Sequence, residues 1–169
     1  DYKFVKYKIL LDINSHLSFP FIIREDKKVL VYPENSISGC WTQYEYDSFK
    51  EQLVNPKVVI KEPLTDAIMT KLFDKKQIFS TIIPTQNGSE LSIYSDNGIK
   101  IQTITFSSNI ARNAGDWFKI DGKIYRPAQD CNSGYGCAVI LQEVTKDNDS
   151  YFFKDVRRIE SDNKLYSNG

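Results

Sequence analysis

The chain has few of the residues that carry acid–base or metal chemistry near neutral pH. It holds one histidine, His16, and three cysteines, Cys40, Cys131 and Cys137, none in C-x-x-C spacing. That excludes a histidine-rich or cysteine-clustered zinc site. Charge of one sign is missing too: Lys plus Arg total 22, Asp plus Glu total 22, and neither forms a block. Nucleic acid binding normally rests on a basic stripe that neutralises phosphates, so no nucleic acid partner is expected. No apolar run approaches the roughly 18 residues of a membrane-crossing helix. The opening "DYKFVKYK" lacks the apolar segment and small-residue cleavage site of a signal peptide, so the chain reads as mature or as having none. Asn87-Gly-Ser and Asn148-Asp-Ser match the N-glycosylation pattern, which occurs too often by chance to assign a compartment.

What is present is a repeat. Three segments align: "REDKKVLVYPENS" at 24–36, "LFDKKQIFSTIIP" at 72–84 and "KIDGKIYRPAQDC" at 119–131. Each has an aspartate, a lysine and then an apolar or aromatic run, and the aspartates Asp26, Asp74 and Asp121 stand 48 and 47 residues apart (74 − 26 and 121 − 74). Before each lies an apolar stretch, "SFPFII", "AIMTKLF" or "GDWFKI", so each segment predicts a hairpin. A third alternating strand follows ("TQYEYD", "ELSIYSD", "CAVILQEV"), then a more polar fourth ("KVVIKE", "IKIQTITF", "YFFKDVRRI").

Four antiparallel strands repeated every 40 to 50 residues or so are the pattern of β-propeller blades. The fold class is therefore all-β, a single propeller domain or fragment over 1–169. Its blades fall at about 16–61, 65–107 and 111–160, with 161–169 starting another. A β-sandwich with similar hairpins is the competing architecture. Helix is nearly absent, and "YDSFKEQLV" at 46–54 reads as a connecting turn. A closed propeller needs about four blades or more. Three therefore imply a fragment, or open blade faces covered by missing blades or by a homo-oligomer.

Polar residues recur where each blade would meet the axial channel. His16, Asp66 and Arg112 each stand near the start of an inner strand, and Asn113 follows. A single such residue is commonly a turn cap, but three in register read as a shared polar ring that holds a glycan or sugar conjugate. In "RPAQD", Arg126 offers a planar fork, Pro127 breaks the strand, and Gln129 and Asp130 offer an amide and a carboxylate. An internal pair pinning Arg126 to a carboxylate is the alternative. Tyr32, Trp41, Trp117, Tyr125 and Tyr135 are candidates for stacking on a sugar, although with 2 Trp, 10 Tyr and 10 Phe most aromatics must be core. Tyr135, between glycines in "SGYGC", is singled out. Cys131 and Cys137 would be bridged only if they flank a tight turn; free, partly buried thiols are expected. No redox or nucleotide cofactor is implied. A structural calcium on the axis would suit carboxylates and amides, but no spacing demands it.

The strings "HLSFPFI" (16–22), "VYPENS" (31–36), "TDAIM" (65–69) and "ARNAGDWFKIDGKIYRPAQDCNSGYGCAVIL" (111–141) resemble, in this order, a family of five-bladed propellers similar to glycoside hydrolase family 43. That family includes the propeller-like region of plant glucosamine inositolphosphorylceramide transferase and bacterial hypothetical glycosyl hydrolases. The resemblance implies an incomplete five-bladed ring with a sugar-related site on its axis. Glycoside hydrolysis uses two carboxyl groups. Glu34 as acid, Asp66 as base and Asp130 are the candidates, with His16, Arg112, Asn113, Arg126, Gln129 and Tyr135 around the substrate. Convergence of the three carboxylates on one cavity distinguishes a hydrolase from a non-catalytic glycan- or protein-binding module. An accessory domain of a glycosyltransferase is a third reading, since no metal-binding D-x-D string supports transferase activity by itself.

Overall fold

The computed structural model describes residues 3–73 and 75–160. Asp74 and the segment 161–169, expected to begin a further blade, lie outside the described residues. The chain is all-β and forms three four-stranded antiparallel sheets, each a meander of consecutive strands. The first holds β1 (Ser18–Glu25), β2 (Lys28–Glu34), β3 (Trp41–Asp47) and β4 (Gln52–Ile60). The second holds β5 (Leu64–Thr70), β6 (Gln77–Ile82), β7 (Glu90–Ser95) and β8 (Lys100–Thr105). The third holds β9 (Phe118–Ile120), β10 (Lys123–Asp130), β11 (Ala138–Asp147) and β12 (Ser150–Ile159). These are three blade-like sheets.

Turn chemistry sets the hairpins. Asp121 and Gly122 take φ of 50° and 80° between the paired Ile120 and Lys123, the two-residue connection whose twist suits antiparallel strands. Asp26, between the paired Glu25 and Lys28, also has φ of 50°. Within 46–54 the turn is 48–51, between β3 and β4: Asp47 Oδ1 accepts the amides of Phe49 and Lys50, each at 3.0 Å, which caps the end of β3. The described helical content is one 3-10 turn, Ser36–Ser38.

The second sheet lies between the other two. Every residue of β5 is buried, and β6 is buried along all but its last residue. Strands with both faces covered lose the apolar–polar alternation of half-exposed ones. Phe79 of β6 packs on Trp117 at 4.2 Å between ring centroids and on Tyr151 at 5.5 Å, and Phe106 meets Phe153 at 5.1 Å, so aromatic rings join the second and third sheets. In the first sheet Tyr32 stacks on Trp41 at 4.8 Å, and Phe21 and Tyr32 enter the same core cluster. The far faces differ: Ile22 and Val58 of the first sheet, and Phe118, Ile120, Phe152 and Ile159 of the third, are each more than a third exposed.

The first strands are irregular at matching places. β1 breaks register between Ser18 and Phe21, with Phe19 at φ 38°, and β5 between Thr65 and Ile68, with Asp66 at φ 47°. In the third sheet the run expected at 115–120 shortens to Phe118–Ile120. The chain before it forms one isolated bridge, Asn113 to Ala128. Extra residues of this kind re-aim side chains at sheet edges and rims.

Ile68, in the fully buried first strand of the second sheet, is itself fully buried. Ile68→Ala removes packing that cannot collapse from either side, so it should cost about 3 to 4 kcal/mol. Chemical denaturation should show a lower midpoint at an unchanged slope.

Candidate functional site

Asp66 is where the three sheets meet. Its left-handed φ of 47° is tolerated by aspartate better than by most side chains. The bulge turns its amide toward the first sheet, where it donates to Glu34 Oε2 at 2.6 Å. Its carbonyl accepts from Asn113 Nδ2 at 2.9 Å. Its carboxylate accepts from Arg112 Nε in an ion pair and from Gln129 Nε2 at 2.8 Å. Glu34 ends β2, Gln129 lies near the end of β10, and Arg112 and Asn113 sit just before β9, so contacts from two other sheets converge on one residue.

These groups open onto a cleft of about 420 Å³, whose lining includes Phe19, Asp66, Arg112, Gln129, Tyr135 and Val139. Arg112 stacks over the Tyr135 ring at 4.6 Å from its centroid and donates through Nη1 to Asn87 Oδ1 at 2.7 Å. Tyr135 is 59% exposed, carried on the loop between β10 and β11. The cleft thus presents a carboxylate, an amide, a guanidinium and an aromatic ring. Of the sequence candidates, Asp66, Arg112, Gln129 and Tyr135 line it.

The others stand elsewhere. Side chains alternate along β10, so "RPAQD" divides: Gln129 faces the cleft, while Arg126 and Asp130 share the buried face. Arg126 is fully buried. It donates to Asn113 Oδ1 at 3.1 Å, to the Ile110 carbonyl at 3.1 Å, to Gln142 Oε1 at 2.7 Å and to the Ala111 carbonyl. Gln142 in turn donates to Asp155 Oδ1 at 2.8 Å, so the carboxylate partner of this guanidinium is reached through an amide. Arg126 and Asn113 therefore anchor the segment that carries Arg112. Asp130 accepts from Asn132 Nδ2 at 2.7 Å and pairs with Arg158. Glu34 lies buried behind Asp66, and His16 is exposed ahead of β1. Tyr32, Trp41 and Trp117 are core, and Tyr125 stacks on Phe118 at 5.7 Å.

Sequence reasoning missed Asn87 and Phe19. Asn87 stood out only as a glycosylation pattern, and Phe19 faces the cleft because of a bulge that no residue pattern marks. All three cysteines are free thiols. Among the described residues no three His, Cys, Asp or Glu side chains are gathered around a cation position.

Burial pushes the Glu34 carboxyl up; the Asp66 amide opposes this, and the Asp66 charge adds to it. Asp66 is also pushed up by burial, against the pull of Arg112 and Gln129. Burial works against the Arg112 charge, but its bond to Asp66 and that residue's charge leave it net raised. Burial pulls Arg126 down to about 9, which leaves it protonated at neutral pH.

Two outcomes follow from this electrostatics. A raised carboxyl makes the folded state hold more protons than the unfolded one, so its contribution is fully present in acid and lost as pH rises through the folded-state value. Glu34→Gln keeps an acceptor for the Asp66 amide and should flatten the fall in stability above the ordinary glutamate range; parallel wild-type and variant curves of unfolding free energy against pH would exclude this. Arg126→Lys strands several buried acceptors and should destabilise by about 3 kcal/mol, read as a lower denaturant midpoint.

The chain matches the family model described as glucosamine inositolphosphorylceramide transferase 1, N-terminal, over residues 3–165. It is 30% identical over 151 residues to glucosamine inositolphosphorylceramide transferase 1 of Oryza sativa subsp. japonica, covering 82% of this chain and 20% of that protein. The protein of the same name from Arabidopsis thaliana is 28% identical over 151 residues, covering 80% and 19%. The chain thus spans about a fifth of the length of the curated relatives it matches. It belongs to the family of the N-terminal region of glucosamine inositolphosphorylceramide transferase 1.

Proposed function

We propose that this domain is a non-catalytic carbohydrate-recognition unit, the accessory region of a protein that builds or modifies a glycan. The observation that carries this reading is the cleft over Asp66. A carboxylate and an amide suit sugar hydroxyls, a guanidinium braces the ring of Tyr135, and that ring offers a flat surface for the C–H face of a pyranose. Kinship with the N-terminal region of a protein named as a glucosamine inositolphosphorylceramide transferase supports an accessory role.

Hydrolysis asks for a second carboxyl group beside the first on the substrate side. Among the described residues Asp66 is the carboxylate lining this cleft, while Glu34 is engaged by the Asp66 amide and Asp130 by Asn132 and Arg158. These engagements favour binding over cleavage. The same reading takes the three sheets as blades of a five-bladed ring similar to glycoside hydrolase family 43. The exposed Phe118, Ile120, Phe152 and Ile159 on the third sheet would then be the surface a further blade covers.

Among the described residues Arg112 is the cation lining the cleft; it is already paired with Asp66 and has Glu34 close behind, so the ligand is a neutral sugar and not a uronate or a phosphate ester. The test is calorimetry of the intact gene product against neutral and acidic oligosaccharides. Neutral ligands should bind, and Tyr135→Ala should weaken them about tenfold, roughly 1.4 kcal/mol. Glycoside turnover that disappears in a folded Asp66→Asn variant would overturn the non-catalytic reading. Tighter binding of acidic sugars would overturn the charge argument.

A further inference from the structure

We propose that Cys131 and Cys137 are a redox-modifiable pair whose oxidation closes the loop carrying Tyr135 and holds that ring at the rim of the cleft. Strands β10 and β11 pair in antiparallel register up to Asp130 opposite Ala138. The next residue outward on each strand is Cys131 on one side and Cys137 on the other. Facing residues at such a neck have Cα atoms about 4.5 to 5.5 Å apart, inside the roughly 4.4 to 6.8 Å that a disulfide spans. Both sulfurs belong to the loop. Cys137 Sγ donates to the carbonyl of Gly134 at 3.2 Å, and the Cys131 amide donates to the Asn109 carbonyl at 2.9 Å.

The loop has reason to need a closure. Gly134 and Gly136, with φ of 136° and 68°, bracket Tyr135, and glycine loses more conformational freedom on ordering than any other residue. A cross-link between 131 and 137 removes much of that freedom before the loop orders. Cys131 is buried and its thiol is pushed up by burial, whereas Cys137 is only half-buried. Cys137 is therefore the sulfur that attacks first.

The oxidant is a small-molecule disulfide of the glutathione type. The Cys137 thiolate attacks one of its sulfurs, forms a mixed disulfide and releases one thiol. Cys131 then loses its proton and attacks the Cys137 sulfur, releasing the second thiol. Two protein thiols give up two electrons, and one small disulfide becomes two thiols. Nothing in this exchange depends on what the cleft binds.

The test uses the intact gene product with Cys40→Ser, equilibrated natively with reduced or oxidised glutathione, acid-quenched, alkylated and mapped by mass spectrometry. Oxidation should yield a peptide pair linked through Cys131 and Cys137, roughly 2 Da lighter than the two thiol peptides. Amide exchange at 132–136 should slow about tenfold against the reduced protein. A persistent glutathione adduct on Cys137, disulfide-linked dimers, or a Cys131 that stays fully alkylatable would each overturn the pairing. A formed link with unchanged exchange would overturn the claim that it holds the Tyr135 loop.

Discussion

The arrangement of the three sheets depends on one residue in an uncommon backbone conformation. Asp66 uses every polar group it has: the amide to Glu34, the carbonyl to Asn113, and the carboxylate to Arg112 and Gln129. A left-handed φ at a non-glycine residue costs on the order of 1 kcal/mol. Satisfied hydrogen bonds at a buried position offset that cost, since each would otherwise be a lost bond in a place water does not reach. The constraint also explains the cleft, because the bulge that aims the amide at one sheet leaves the carboxylate facing the gap between the others.

Behind that junction, the polar core is organised by Arg126. An apolar side chain at this position would leave the Ile110 and Ala111 carbonyls without this donor, because the backbone bonds between the stretch before β9 and the β10 end fall on Asn109, Arg112 and Ala114 instead. The guanidinium supplies the donors that a regular neighbouring strand would have supplied, and its flat faces meet Phe106 and Phe153 at 5.3 and 5.8 Å from their centroids. Arg126 thus adds to the backbone pairing of this stretch, in which the Gln129 amide donates to the Arg112 carbonyl, and together they hold Arg112 at the cleft.

Much of the architecture was legible in the sequence because its determinants are local. The Asp-centred hairpins and the period-2 runs of β7 and β11 depend on turn geometry and side-chain alternation, which short strings encode. The placement of "RPAQD" was only half legible: alternation demanded that Arg126 and Gln129 face opposite ways, but which face met the cleft depended on how the third sheet packs on the second. Glu34 shows the limit more sharply. A carboxylate after "VYP" is conspicuous as a string, yet its role is set by the amide of a residue 32 positions away in another sheet. Asn87 and Phe19 reach the site through tertiary contact and a bulge, which leave no trace in composition or period.

The second sheet is covered from both sides along β5 and β6, whereas the outer strands β4 and β12 of the flanking sheets are largely exposed. Asp66 stands in the covered strand β5, whereas Arg112 lies on the chain before β9 and Tyr135 on the exposed loop between β10 and β11. The two halves of the cleft therefore differ in burial, a carboxylate fixed in a covered strand on one side and an aromatic ring on a solvent-reached loop on the other.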